Sequence, residues 1–284
     1  MSIFLRWQTL PTNQKQNNDM KKILLPTDFS ENAHNAAKYA MDFFGHQETR
    51  YYLYHVHDLN TLQDIVFDDI EKKLKQELDQ FNQTYHDQIL TIETETGSGS
   101  IVKNILAYSK QIDADFIVMG TEGASRPKWF GSNTAEVLLH ANCPVIAVPN
   151  GVEYRKPEKV LLPLDLKVGL PKSDFELVYK EIKLNTPFIH VVTIIDHNES
   201  ISSDFSADEL KTYLGDIRYA FTFSNHKNIA EGVAEYARKI DPDLLLLFPR
   251  KRTVLQYLLN KSVSKRIAHM SKIPLFSMAS KTVG

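Results

Sequence analysis

The chain of 284 residues is long enough for one large domain or for two domains of ordinary size. Its composition, 43% hydrophobic and 24% charged, is typical of a globular protein. The formal net charge of −2 supplies neither the basic field that nucleic acid binding requires nor a polybasic surface for anionic lipid. Composition therefore predicts no nucleic acid partner and no membrane partner.

The sequence also argues against secretion. No apolar run approaches the length that crosses a bilayer, and the opening residues, MSIFLRWQTL, do not resemble a signal peptide. Cys143 is the one cysteine, which excludes an internal disulfide and fits a reducing compartment. We expect the chain to be cytoplasmic.

Short apolar runs alternate with helical patterns from Lys21 onward. Five strands are predicted by KKILLP, YYLYHV, ILTIET, DFIVMG and PVIAVP. Between the second and third strands, one long amphipathic helix is predicted by apolar residues at three- and four-residue spacing. These are Phe67, Ile70, Leu74, Leu78, Phe81 and Tyr85. Parallel strands need a crossover, usually a helix, so the alternation predicts a doubly wound parallel sheet.

The second half of the chain repeats this order. KVLLPLD, from Lys159, answers KILLPTD, from Lys22, and EYARKIDPDLLLLF answers AYSKQIDADFIVMG. SVSKRIAHMSKIPLFSM, from Ser262, answers SNTAEVLLHANCPVIAV, from Ser132. The sequence therefore predicts two α/β domains in tandem. The predicted segments are an arm at 1–19, a first domain at 20–150, a linker at 151–158 and a second domain at 159–284.

A glycine-bearing loop, GTEGASRPKWFGSN, leads from the fourth predicted strand into a helix. The first amides of a helix are unpaired and favour anions, and glycine can adopt positive φ or let a ligand approach the backbone. An ordinary strand-to-helix turn is the alternative interpretation. With strand order 3-2-1-4-5, the ligand crevice lies between strands 1 and 4. That order places Pro26, Thr27 and Asp28 across the crevice from Met119 and Gly120, and favours a loop that holds nucleotide phosphates.

These motifs resemble the universal stress protein family, in a tandem form with two copies in one chain. The resemblance is carried by KKILLPTDFSE, YHVHD, and GTEG followed by GSNTAEVLLHANCPVIAVP, and it covers nearly everything from Met20 onward. It implies an α/β fold of two doubly wound parallel five-stranded sheets, adenine nucleotide alpha hydrolase-like, with strand order 3-2-1-4-5. It also implies that the last strands, PVIAVP and PLFSMA, pair within the chain as a pseudo-dimer. A homodimer of whole chains stays open.

The resemblance further implies a site for ATP or AMP in the first domain, with Mg²⁺ as a candidate companion of the nucleotide. Family members that bind ATP carry a loop of the form G-x2-G-x9-G-S/T. Carried over, Asp28 and Val56 lie at the adenosine, and Met119 and Gly120 lie beside the ribose and phosphates. The residues that would cradle the phosphates are Gly123, Gly131, Ser132 and Asn133.

The loop departs from the family pattern in its length. Between Gly123 and Gly131 stand seven residues, ASRPKWF, where the pattern has nine. Pro127 removes one possible amide donor to a phosphate. Arg126 and Lys128 are either counter-charges for a phosphate or ordinary solvated cations.

The second copy has lost its glycines. Phe248 stands at the place of Gly120, and Lys261 at the place of Gly131. A side chain held there at positive φ would cost about 1–2 kcal/mol, and it would crowd a ligand drawn against the backbone. We therefore predict that the second domain is mainly structural.

Two other clusters are weaker candidates. His55 and His57 share one face of a strand, beside Asp58, but no third ligand stands at a recognisable spacing, so polar residues near the pocket are favoured over a metal site. GSGS at 97–100 resembles a phosphate loop but lacks the Lys-Ser/Thr that completes one, so a turn with a helix cap is favoured.

No catalytic signature and no metal-ligand set is recognisable in the sequence. The predicted function is therefore a stress-response or signalling module that binds an adenine nucleotide and an unidentified protein partner, with at most weak ATP hydrolysis. Two alternatives stay open: an interaction scaffold that has lost the nucleotide, and a slow nucleotide hydrolase.

Overall fold

The computed structural model describes residues 20–45, 48–57, 67–121, 131–166, 180–181, 183, 188–195, 207–248 and 270–278. Strands and helices alternate in the first half, as the sequence predicts, and in the second half the described helices follow its second and third strands. The first half contains β1 (Lys21–Thr27), α1 (Glu31–Phe44), β2 (Thr49–His57), α2 (Phe67–Thr84), β3 (Thr91–Ser98), α3 (Ile101–Gln111), β4 (Phe116–Gly120), α4 (Ser132–His140) and β5 (Val145–Val148). The second contains β6 (Lys159–Pro163), β7 (Phe188–Ile195), α5 (Ala207–Leu214), β8 (Arg218–Asn225), α6 (Ile229–Ile240), β9 (Leu244–Leu247), a 3₁₀ turn (Met270–Lys272) and β10 (Leu275–Ser277).

The ten strands form one continuous sheet with the order β3-β2-β1-β4-β5-β10-β9-β6-β7-β8. Each half is parallel and has the predicted order 3-2-1-4-5, so the α/β fold class is confirmed. The halves join where β5 and β10 pair antiparallel, with Phe276 opposite Ile146. This is the pairing of last strands that the resemblance implies, and it removes two exposed sheet edges.

Alternating side chains divide the core of the first half between the two faces of the sheet. Ile23 and Leu25 belong to the cluster beneath α1 and α2, while Leu24 belongs to the cluster beneath α3 and α4. All three side chains are at most 1% exposed. A parallel strand covered on both faces is apolar throughout, which explains the run ILL in β1.

The third strand differs from its sequence prediction. β3 begins at Thr91 and continues through Gly97 and Ser98, whereas the pattern ILTIET predicted residues 89–94. Pairing with β2 sets these bounds, because Arg50 faces Thr91 and His57 faces Ser98 along the whole ladder. As an edge strand, β3 has mostly half-buried or exposed side chains, so hydrophobicity alone locates it poorly.

Aromatic side chains fill the junction between the two halves. The Phe276 ring from β10 lies 5.7 Å from the Phe116 ring and 6.5 Å from the Phe43 ring, measured between centroids. Tyr154, which follows β5, meets Tyr39 of α1 edge-on at 5.5 Å. These contacts connect both halves to α1, so the junction is part of the core.

We expect Phe276→Ala to lower the melting temperature by roughly 5 °C or more, because a fully buried ring at the junction is replaced by a cavity. Thermal unfolding followed by circular dichroism measures the change. Phe223→Ala is the matched control, because the Phe223 side chain is 44% exposed. Equal shifts for the two variants would contradict a junction role for Phe276.

Candidate functional site

The candidate site is a cleft at the carboxyl ends of β1 and β4. The two strands are paired at Ile23–Phe116 and Leu24–Ile117, and the residues beyond these pairs line a cavity. The cavity has a volume of about 170 Å³. One ordered water needs roughly 15 Å³ by the same measure, so an organic ligand can be accommodated.

Nine of the ten residues proposed from the sequence line this one cleft. They are Pro26, Thr27, Asp28, Val56, Met119, Gly120, Gly131, Ser132 and Asn133. The tenth, Gly123, lies outside the described residues, as do Arg126, Pro127 and Lys128. The cleft also contains residues that the sequence interpretation missed, namely Ser30, Ala33, Tyr54, Ile101, Ile105 and Thr134.

One wall of the cleft is the start of α4. Gly131 is the N-cap residue of this helix, and because it has no side chain it cannot satisfy the first helical amides. The backbone holds the helix start in place: Gly131 N–H donates to the Thr121 carbonyl at 2.6 Å, and the Thr134 hydroxyl donates to the Gly120 carbonyl at 2.8 Å. The wall therefore offers an uncapped helix N-terminus, which attracts anions.

The opposite wall is the turn between β1 and α1. The Ser30 amide donates to Asp28 Oδ1 at 3.0 Å, and the Ser30 hydroxyl accepts from the Ala33 amide at 3.2 Å, which caps α1. Phe29 takes a positive φ of 62° to make the turn. The Asp28 side chain remains exposed at the cleft, so a carboxylate is available there to accept hydrogen bonds from hydroxyl groups.

The rest of the cleft is mostly apolar. Val56 of β2 and Met119 of β4 form one side, and Ile101 and Ile105 of α3 form another. Tyr54 lies two residues before Val56 on the same face of β2. Burial, followed by the charge of Glu95, raises the pKa of Tyr54, so the side chain is a neutral phenol at physiological pH. The alternation of β2 and the periodicity of α3 were the signals that could have predicted this wall.

Two glycines near the cleft have steric roles. The side chain of Asn32, from the first turn of α1, fills the space beside Gly120, and a Cβ on Gly120 would lie 2.4 Å from Asn32 Nδ2. A Cβ on Gly97 would lie 2.2 Å from the Tyr54 hydroxyl. We expected glycines of the loop to adopt positive φ. That expectation is wrong at Gly120, which is in a strand, and at Gly131, which has φ −61°.

The two histidines of β2 lie on the face opposite the cleft. His55 stacks on Phe29 with ring centroids 4.4 Å apart, and His55 Nδ1 lies 2.9 Å from the Thr27 carbonyl. Burial is the largest influence on the His55 side chain, and it lowers the pKa. His55 thus lies next to the cleft wall, but neither histidine lines the cleft, because neighbours in a strand point to opposite faces. In the described ranges, no group of three or more His, Cys, Asp or Glu side chains is arranged to hold a metal.

Side chains pack closely at some of the corresponding positions of the second half. By the repeat alignment, Ile194 stands at the place of Val56, and Gly232 at the place of Asn104. A Cβ on Gly232 would lie 2.9 Å from both His226 Cβ and Ile194 Cγ2, so these two side chains pack directly against α6. Phe248 occupies the position after β9, and Lys261 lies outside the described residues. The residue at the place of Val56 is therefore in direct contact with α6 in the second half.

These features define a doubly wound parallel α/β protein with a ligand-sized cleft at its topological switch point. The family model described as the universal stress protein family matches residues 20–149. Residues 20–149, in the first half of the chain, therefore belong to the universal stress protein family. Among the helices of the described ranges, none has both the length and the apolar character needed to span a bilayer.

Known relatives agree with this assignment. A curated universal stress protein of Methanocaldococcus jannaschii is 29% identical over 149 residues, which is 49% of this chain and 84% of the relative. The crystal structure of a universal stress protein from Archaeoglobus fulgidus superposes with a TM-score of 0.67 at 18% identity, covering 93% of this chain and 97% of that one. A functionally unknown protein from Pseudomonas aeruginosa superposes with a TM-score of 0.59 at 14% identity, covering 92% of each chain. The two structures support the ten-stranded fold.

We expect Gly120→Ala to destabilise the protein by about 1–3 kcal/mol, because the new methyl group collides with the buried Asn32 side chain. Thermal unfolding measures the loss. The double variant Asn32→Ala/Gly120→Ala should be less destabilised than the sum of the single variants. Strictly additive losses would show that the two residues do not compete for the same space.

Proposed function

We propose that the first domain binds an adenine nucleotide, ATP or AMP, in the cleft between β1 and β4. The chain then serves as a stress-response or signalling module whose state depends on that ligand. The observation that carries the proposal is the pairing of two features across one cavity: an exposed carboxylate at Asp28 and the uncapped start of α4. The match of residues 20–149 to the universal stress protein family gives the same expectation.

Each part of a nucleotide has a chemically suitable partner in the cleft. The apolar side formed by Val56, Ile101 and Ile105 suits a flat base. The Asp28 carboxylate can accept hydrogen bonds from ribose hydroxyls, as acidic residues do in related α/β sites. The amides of Ser132 and Asn133 begin a helix and suit phosphate oxygens.

A metal ion would arrive with the nucleotide. Mg²⁺ commonly keeps several waters and binds through substrate phosphates and one or two carboxylates. Such an ion needs no protein cage, which fits the lack of a metal-binding cluster in the described part of the chain. We therefore propose Mg²⁺ as an optional companion of ATP.

We propose that nucleotide binding regulates the protein and that hydrolysis of the nucleotide is not required. A ligand with micromolar affinity supplies about 8 kcal/mol, which is enough to shift a conformational equilibrium. We propose that the bound nucleotide stabilises the β4–α4 connection and changes the surface offered to a protein partner in the cytoplasm. We also propose that the two domains comprise residues 20–150 and 159–284, and that residues 151–158 form the linker between them.

Isothermal titration calorimetry with ATP, ADP and AMP, and with GTP as a base control, tests this function. We expect wild-type protein to bind an adenine nucleotide, and Asp28→Ala to weaken binding by roughly tenfold or more, since it removes a charged acceptor. Asp165→Ala is the matched control, because Asp165 holds the same position in the second copy and should leave the affinity unchanged.

No heat and no thermal shift with any adenine nucleotide would contradict the proposal and favour an interaction scaffold. Phosphate release that Asp28→Ala abolishes would instead favour a slow hydrolase. Equal weakening by Asp28→Ala and Asp165→Ala would place the ligand outside the first-domain cleft.

A further inference from the structure

A buried carboxylate lies behind the cleft, on the opposite face of the sheet. Glu77 belongs to α2, and its side chain is 7% exposed although it is ionisable. Glu77 Oε2 accepts a hydrogen bond from the Thr27 hydroxyl at 3.0 Å, and Glu77 Oε1 lies 3.6 Å from His34 Nδ1 on α1. Burying a carboxylate is costly, so an unusual position of this kind points to a specific task.

Through the Thr27 hydroxyl, Glu77 is connected to the turn that forms one wall of the cleft. While the Thr27 hydroxyl donates to Glu77, it accepts a hydrogen bond from the Phe29 amide at 3.0 Å. Phe29 has positive φ, an uncommon state for a bulky residue that its surroundings must enforce. Asp28 is between the two residues of this hydrogen bond, so the orientation of its backbone depends on the same hydroxyl.

The second copy forms the equivalent strand end without this carboxylate. Leu164 stands at the place of Thr27 and is 5% exposed within the core. The Thr193 hydroxyl donates to the Leu164 carbonyl at 2.9 Å, just as His55 Nδ1 contacts the Thr27 carbonyl. An apolar residue therefore suffices to end this strand. The Thr27–Glu77 contact occurs in the copy that keeps an open cleft.

We infer that Glu77 is a positioning residue for ligand binding, which sets the geometry of Asp28 from the far side of the sheet through the Thr27 hydroxyl. The inference rests on the proposed nucleotide function. The carboxylate fixes the direction of the hydroxyl proton, and this leaves the oxygen lone pairs aimed at the Phe29 amide. Without that acceptor the hydroxyl can rotate, and the turn loses its fixed conformation.

The test compares Glu77→Met with Glu77→Gln in the full chain. Methionine removes the acceptor, and we expect AMP affinity measured by calorimetry to fall at least roughly fivefold. Glutamine keeps a carbonyl oxygen for Thr27 and should retain most of the affinity. Thr27→Val removes the hydroxyl and should weaken AMP binding as Glu77→Met does.

A control separates positioning from general stability. Tyr85 directly follows α2, and Tyr85→Phe removes the 2.9 Å hydrogen bond from its hydroxyl to Asp42 of α1 without touching the turn. We expect this variant to lose thermal stability with unchanged AMP affinity. Hydrogen exchange of the ligand-free protein supplies a second readout, since the Phe29 amide should exchange faster in Glu77→Met and not in Tyr85→Phe.

Two results would overturn the inference. One is a wild type that binds AMP together with a Glu77→Met variant that binds equally well, in which case the nucleotide function stands and the positioning role falls. The other is a loss of affinity in Glu77→Gln as large as in Glu77→Met. A wild type that binds no adenine nucleotide would instead remove the proposed function, and the inference with it.

Discussion

The reversal of strand order between β1 and β4 is the constraint on which the rest of the site depends. α1 and α2 cover one face of the sheet, while α3 and α4 cover the other, so the connections diverge where these two strands end. Among the described residues of the first half, that divergence leaves a cavity between the two strand ends. The exposed Asp28 turn and the uncapped α4 start face it because each follows directly from one of the two strands.

The internal repeat made the architecture predictable. Two series of apolar runs with matching strand-1 motifs, KILLPTD and KVLLPLD, predicted two similar α/β units. The usual topology of such sheets predicted the strand order, and the family resemblance implied the pairing of β5 with β10. The positions of the strands in a parallel sheet then predicted most residues of the cleft, because the ends of neighbouring strands lie together whatever their side chains are. The edge strand β3 was misplaced since its exposed residues carry little hydrophobic signal.

Side-chain packing was less predictable than strand order. The sequence suggested a conformational reason for Gly120, but the structure gives a steric one, which requires knowledge that Asn32 approaches from α1. Such a contact spans elements 88 positions apart along the chain and leaves no local pattern. The Thr27–Glu77 hydrogen bond joins β1 to α2 in the same way. By contrast, the opposite orientation of His55 and Val56 follows from strand alternation alone.

The two halves differ in the packing beside the helix that follows the third strand of each. In the first half Asn104 of α3 bonds the Ser98 and Ser100 carbonyls at its own helix start, and the cleft beside it stays open. In the second half Gly232 lets Ile194 and His226 approach α6. Their packing is well suited to stabilise the shared sheet, and one chain would then carry one ligand.

Native mass spectrometry of the gently purified full chain tests this central point most directly. The geometry of the two halves predicts one adenine nucleotide per chain, released on unfolding and identified by its mass. A chain that retains two nucleotides, or none even after incubation with excess ATP and AMP, would contradict the assignment of the first-half cleft as the nucleotide site.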